Sequence, residues 1–156
     1  MPRSKQVAAL PWRRGKAGVE ILLITTRTTK RWVIPKGWPM DGKADHDAAA
    51  QEAFEEAGVQ GVVSSESVGQ FGYHKVSDTG NAKFVDVTVY ALRVEQDLAD
   101  WPERRERERR WVTAAEAAAL SGEPELVPVL RDFAHHPPTD DSVAKSSWQW
   151  LINLFR

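Results

Sequence analysis

The chain holds 156 residues with a formal net charge of −1, and 42% of it is hydrophobic and 28% charged. That length buries one sizeable core, and the balance suits an ordinary soluble domain without the basic excess of a general nucleic-acid binder. No run approaches the roughly 18 apolar residues of a membrane-spanning helix. The lack of cysteine excludes disulfides, thiolate metal sites and cysteine nucleophiles, and fits a cytoplasmic protein.

The first fifteen residues are basic with too short an apolar run for a secretory signal. Residues 6–13 suit a first strand, 15–18 a turn, and VEILLITT at 19–26 a buried strand. A basic turn at 27–31 leads to a short extended piece at 32–34, which Pro35 ends. Two prolines and two glycines make 35–45 a loop. Asp45 or Asp47 then caps a helix to Ala57, with Ala49, Ala50, Ala53, Phe54 and Ala57 on its apolar side and Gly58 as its C-cap.

Residues 59–72 read as a strand pair or one bent strand, 77–81 as a turn, and 84–94 as a long strand. The highly charged stretch 97–110 reads as a solvated loop before a short strand at 111–112. Thr113 and Glu116 form a capping box for a helix over 114–120, and 125–136 forms another with Leu126, Val129, Leu130 and Phe133 on one face. Pro137 and Pro138 stop it. The whole chain, 1–156, is expected to be one domain, with 137–156 an extension or terminal helix. The segment 142–155 can pack in cis, cross to a second copy in a homodimer, or lie on a surface. This inventory predicts an α/β sandwich whose mixed central sheet is covered by helices on both faces.

The chemistry concentrates in GWPMDGKADHDAAAQEAFEEAGV, from Gly37 to Val59. Glu52, Glu55 and Glu56 stand at i, i+3 and i+4 of the predicted helix, so their charges share one face and repel. Such a face is either simply solvated or neutralised by cations. Hard divalent ions, Mg²⁺ or Mn²⁺, suit an all-oxygen donor set, to which the Gly37 carbonyl can add. Ions held there polarise a diphosphate and activate water. GxGxxG, GxxxxGK[ST] and GxSxG are all absent.

This stretch resembles the signature box of Nudix hydrolases: Gly, five residues, Glu, seven residues, Arg-Glu, an apolar residue, any residue, Glu-Glu, any residue, Gly, then an apolar residue. Gly37, Glu52, Ala53, Glu55, Glu56, Gly58 and Val59 match it. The resemblance implies a Nudix-like α/β/α sandwich and hydrolysis of diphosphate linkages. It implies that Glu52, Glu55 and Glu56 are catalytic and metal-binding residues, with Glu52 and Glu56 the principal ligands. Two positions depart from the pattern. Lys43 stands where the box has its first glutamate, and Gln51 where it has its arginine. Gln51 donates hydrogen bonds but carries no charge, which Lys43 is placed to restore in part. A noncatalytic phosphate-ligand-binding or regulatory protein on the same fold is the competing reading.

RWVIPKGWPMDGK and ADWPERRERERRWVTAAEAAAL are similar to the diphosphoinositol polyphosphate phosphohydrolase-like branch and its bacterial relatives. That similarity implies a small phosphorylated substrate: a dinucleoside polyphosphate, a diphosphoinositol polyphosphate or a related nucleoside diphosphate derivative. RNA ends are not favoured, because the charge pattern is mixed. Lys36, beside Gly37, is the first candidate phosphate contact, with Arg31, Arg27 and Lys43 around it. Glu103, Glu106 and Glu108 are candidates for an additional carboxylate, and Glu55 for a base. Tyr73, Trp38 and Trp101 suit a cleft wall, and His74 a substrate contact.

Overall fold

The computed structural model describes residues 3–77 and 79–137. The helix expected over 142–155 lies outside them. In chain order the elements are β1 (Ser4–Gly15), β2 (Gly18–Thr25), β3 (Trp32–Val33), β4 (Lys36–Gly37), α1 (Asp45–Ala57), β5 (Val59–Val76), β6 (Ala82–Asp97), β7 (Arg109–Thr113), α2 (Ala114–Leu120), a 3-10 turn (Pro124–Leu126) and α3 (Val127–His135). No helix among the described residues is long and apolar enough to cross a membrane.

The sheet is mixed, as the sequence predicts. Its path is β3-β2-β1-β6-β5, with β4 paired to β1 and β7 to β2. β1 and β6 run parallel from Ser4↔Val85 to Trp12↔Arg93, and the other pairs are antiparallel. Side chains alternate across a strand, so β1 feeds two cores. Ala8, Leu10 and Trp12 join Val129, Leu130 and Phe133 of α3 on one face. Val7 and Ala9 join Ala48, Ala49, Ala53 and Ala57 of α1 on the other. β5 is a single long strand, and register shifts beside Gly61 and Gly69 supply its bend.

Alanine is the strongest helix former, and its small side chain lets α1 lie close on the sheet. Phe54, expected on the apolar side, is only half-buried, and Ala48 is buried in its place. The cap also differs from expectation. Ala44 is the N-cap with no side-chain cap bond, while Asp45 and Asp47 occupy the first turn, where their charge complements the helix dipole. Gly58 ends the helix at φ 68° and donates its N–H to the Phe54 carbonyl. The Thr113–Glu116 capping box forms as predicted.

Candidate active site

Two short pieces of backbone bring the box together. Pro35 breaks the run after β3, and Ala9 donates its N–H to the Pro35 carbonyl at 3.0 Å. Lys36 and Gly37 then pair with Ala8 and Val7 of β1. This two-residue strand stands where the sequence predicts loop. It sets Gly37 directly against Glu52, and a Cβ at position 37 would collide with that carboxylate. A larger residue where the box begins would therefore displace the Glu52 carboxylate.

An open cleft of about 860 Å³ lies over this junction. Glu52, Glu55 and Glu56 of α1 form one wall, with Lys36, Gly37 and Trp38 beside them. The turn after β2 adds Thr26 to Thr29 and Arg31, and β5 adds Tyr73, His74, Lys75 and Val76. Gln6, Val33, Glu103, Arg107 and Glu123 complete the lining.

Glu56 is buried, and its pKa is pushed up to about 9. Burial is the main cause, followed by its hydrogen bond with Glu52, and Arg107 pulls the other way. Burial likewise raises Glu52. Both carboxyls are shifted toward the protonated form, because two adjacent carboxylates cannot both ionise cheaply out of water. Arg107 approaches Glu56 at 3.7 Å, donates to Glu103 at 2.9 Å and to the Thr25 carbonyl at 3.1 Å. The charged stretch is largely an exposed loop, as the sequence predicts, but a few of its side chains turn inward. Arg107 and Glu103 keep only 11% and 17% of their side-chain surface exposed. The structure selects Glu103 among the three loop glutamates as a cleft residue. Arg107 escapes a reading of the sequence, because alternating signs give no clue to which charge turns inward.

Of the four candidate phosphate contacts, three line the cleft. Lys36 is half-buried with its ammonium 4.8 Å from the centroid of the Tyr73 ring, whose hydroxyl donates to Gln6 at 2.7 Å. Burial lowers the Lys36 pKa, against the pull of Glu123 and Glu56. Arg27 pairs with Glu103 at 3.1 Å, and Arg31 with Glu123 at 3.6 Å. Lys43, the fourth, is not among the lining residues, and its ammonium donates to Gln51 Oε1. Gln51 Nε2 in turn donates to Glu55 at 3.2 Å. A cation therefore reaches the glutamates through an amide, in place of the direct arginine of the box pattern. Lys43→Met is expected to slow turnover about 5-fold, roughly 1 kcal/mol, by releasing Gln51 and Glu55. Gln51→Arg in a Lys43→Glu background should recover the loss, as steady-state rates will show.

Trp38, Tyr73 and His74 line the cleft, and Trp101 does not. The Trp101 indole instead donates to the Glu56 carbonyl at 3.2 Å. Glu123, a buried acid of the turn after α2, is a lining residue that sequence patterning does not single out.

Residues 2–133 match the model of the NUDIX domain family. The chain belongs to the Nudix family. Among its Nudix relatives, the mitochondrial Nudix hydrolase 12 of Arabidopsis thaliana is 37% identical over 108 residues, 65% of this chain and 52% of that protein. The diphosphoinositol polyphosphate phosphohydrolase 3-beta of Bos taurus is 30% identical over 115 residues, 72% of this chain and 66% of that protein. The chain thus spans about half to two thirds of the length of these two relatives. A Caenorhabditis elegans Ap4A hydrolase binary complex shares the Nudix fold at a TM-score of 0.63 and 21% identity, covering 85% of this chain and 96% of that one.

The donor chemistry of the Nudix box suits a divalent metal. The donors are oxygen only, three from one helix face, and Gly37 leaves the Glu52 carboxylate room against its backbone. Burial raises the pKa of both Glu52 and Glu56, and neighbouring carboxylates add to it, so a bound cation would offset the cost of ionising them. Among the described residues the carboxylates do not yet converge on a single point. Glu52 lies against Glu56, Glu55 turns to Gln51, and Glu103 to Arg27 and Arg107.

Proposed function

We propose that this Nudix chain is a divalent-metal-dependent hydrolase of a diphosphate linkage, using Mg²⁺ or Mn²⁺. The observation that carries the reading is the juxtaposition of buried Glu56 and its partner Glu52 with the half-buried cation Lys36 in one cleft. Glu52 and Glu56 would hold the ion, with Glu55 and the Gly37 carbonyl beside them. The ion supplies Lewis acidity and lowers the pKa of bound water. Lys36 binds a non-bridging phosphate oxygen, and Arg27 and Arg31 reach the outer phosphates from the turn after β2. Arg107 holds the Glu56 and Glu103 carboxylates in place from the opposite side.

The names of the bovine phosphohydrolase and the nematode Ap4A hydrolase support two substrate classes, diphosphoinositol polyphosphates and dinucleoside polyphosphates. The Lys43–Gln51–Glu55 relay favours catalysis over a noncatalytic binder, because it keeps a cation coupled to the box despite the changed residues. The test is a panel of diadenosine tetraphosphate, diphosphoinositol pentakisphosphate and ADP-ribose with each metal, with products identified by mass. Nucleotide products mark the first class. Orthophosphate with an inositol phosphate marks the second. Binding of all three compounds without any product would overturn the reading.

A further inference from the structure

The last four carbonyls of a helix have no partner within it. In α1 all four are satisfied from outside the helix body. Phe54 accepts from the Gly58 N–H at 3.1 Å, and Glu55 from the Glu103 N–H at 3.0 Å. Glu56 accepts from the Trp101 indole at 3.2 Å, and Ala57 from Arg109 at 2.8 Å. Three of the four donors thus belong to residues 101–109, the same stretch that carries Glu103 and Arg107 into the cleft.

The dock is built as a stack. Arg109 lies 3.9 Å over the Trp101 ring and pairs with Asp97 at 2.8 Å. The other carboxylate oxygen of Asp97 accepts from the Trp111 indole at 3.0 Å, which ties the stack to β6 and β7. Trp101 lies against the Cα of Gly58, and any Cβ there would collide with the indole. Two residues beyond Trp101, the Glu103 backbone is fixed on the helix turn that bears Glu55 and Glu56.

We infer that Trp101 is a positioning residue for the reaction: its indole, clamped by Arg109, docks residues 101–109 on the C-terminal carbonyls of α1 and so sets the placement of Glu103 relative to the box glutamates. This rests on the hydrolase reading above and adds to it the device that orders the cleft's fourth carboxylate. A buried carboxylate whose placement shifts by about 1 Å can lose on the order of 10²-fold in rate. Phenylalanine keeps an aromatic ring beneath Arg109 but lacks the indole N–H and the second fused ring.

The test is a double-mutant cycle of Trp101→Phe and Glu103→Gln. Substrate is diadenosine tetraphosphate with Mg²⁺, or diphosphoinositol pentakisphosphate where that is the compound cleaved. Trp101→Phe is expected to lower kcat about 10-fold with little change in KM, and to cost less than about 2-fold in the Glu103→Gln background. Equal losses in both backgrounds mean that Trp101 does not act through Glu103, and overturn the inference. An unchanged rate in Trp101→Phe overturns it too. Amide exchange gives the reading that needs no turnover. The Glu103 N–H should exchange faster in Trp101→Phe while the amides of β1 do not change. If wild type cleaves nothing, the hydrolase reading fails by itself, and exchange still decides the dock: equal protection at Glu103 in both proteins overturns it.

Discussion

Glu56→Gln is expected to lose turnover by on the order of 10³-fold and, in the absence of divalent ions, to melt several degrees higher than wild type. The two effects share one cause. Glu56 is buried beside Glu52, and its carboxyl is pushed up to about 9. Its folded pKa lies above the unfolded value of 4.5, so the folded state holds the proton more tightly. The stability this contributes is fully present below about pH 4.5 and is lost as pH rises toward 9. An amide of the same shape never ionises and avoids that loss. At neutral pH that loss is on the order of 1–3 kcal/mol, and each kcal/mol moves Tm by about 2–4 °C in a chain of this size. The amide is also a poor ligand for a hard cation, and losing several kcal/mol of metal-derived charge stabilisation removes about three decades of rate. Calorimetry in EDTA from pH 5 to 9 should show wild type falling relative to the variant as pH rises. Adding Mg²⁺ should raise the wild-type Tm and leave the variant nearly unmoved. A variant that keeps the wild-type rate, or whose Tm tracks wild type across that range, would sink the assignment of Glu56.

The sequence announces α1 because three independent signals agree on it: alanines at helical spacing, glutamates on the opposite face, and a glycine just past Ala57. It announces the mixed sheet because β1, β2 and β6 carry apolar runs long enough to read. It does not announce β4, which has only two residues and no periodicity. That strand exists because Val7 and Ala8 offer backbone partners some thirty residues earlier in the chain. The loop after β6 is opaque for a related reason. Trp101, Glu103 and Arg109 dock on the end of α1 because it offers unpaired carbonyls, Arg107 turns in to the Thr25 carbonyl and Glu103, and nothing within 97–110 encodes those partners. Lys43 is placed by a local contact that its position in the loop does not announce. Its place in the phosphate-side loop suggests a substrate contact, but Gln51 lies one turn before Glu55 on the helix and takes the ammonium instead. Local pattern therefore locates the glutamates, and long-range backbone pairing determines which other charges meet them.

Lys36→Met is expected to lower kcat/KM about 100-fold while shifting Tm by no more than about 2 °C. Lys36 reaches the cleft from a strand fixed to β1, with its ammonium over the Tyr73 ring and the acids Glu123 and Glu56 nearby. A hydrogen bond from a desolvated ammonium to a phosphate oxygen is worth roughly 2–3 kcal/mol, close to two decades of rate. Stability should not follow activity. Burial lowers the folded pKa of Lys36 below its ordinary 10.5, so carrying the charge costs the folded state at neutral pH, and an apolar side chain of similar length removes that cost. The loss should fall mainly on kcat, because charge on the phosphate oxygens redistributes as the anhydride bond breaks and a fixed cation then acts in a site with little water. Lys36→Arg keeps the charge but spreads it over a wider planar group above Tyr73, so it should recover only about a tenth of the wild-type rate. A Lys36→Met enzyme within about 3-fold of wild type would remove Lys36 from the phosphate contacts, and the burden would then pass to Arg27 and Arg31 on the opposite lip of the cleft.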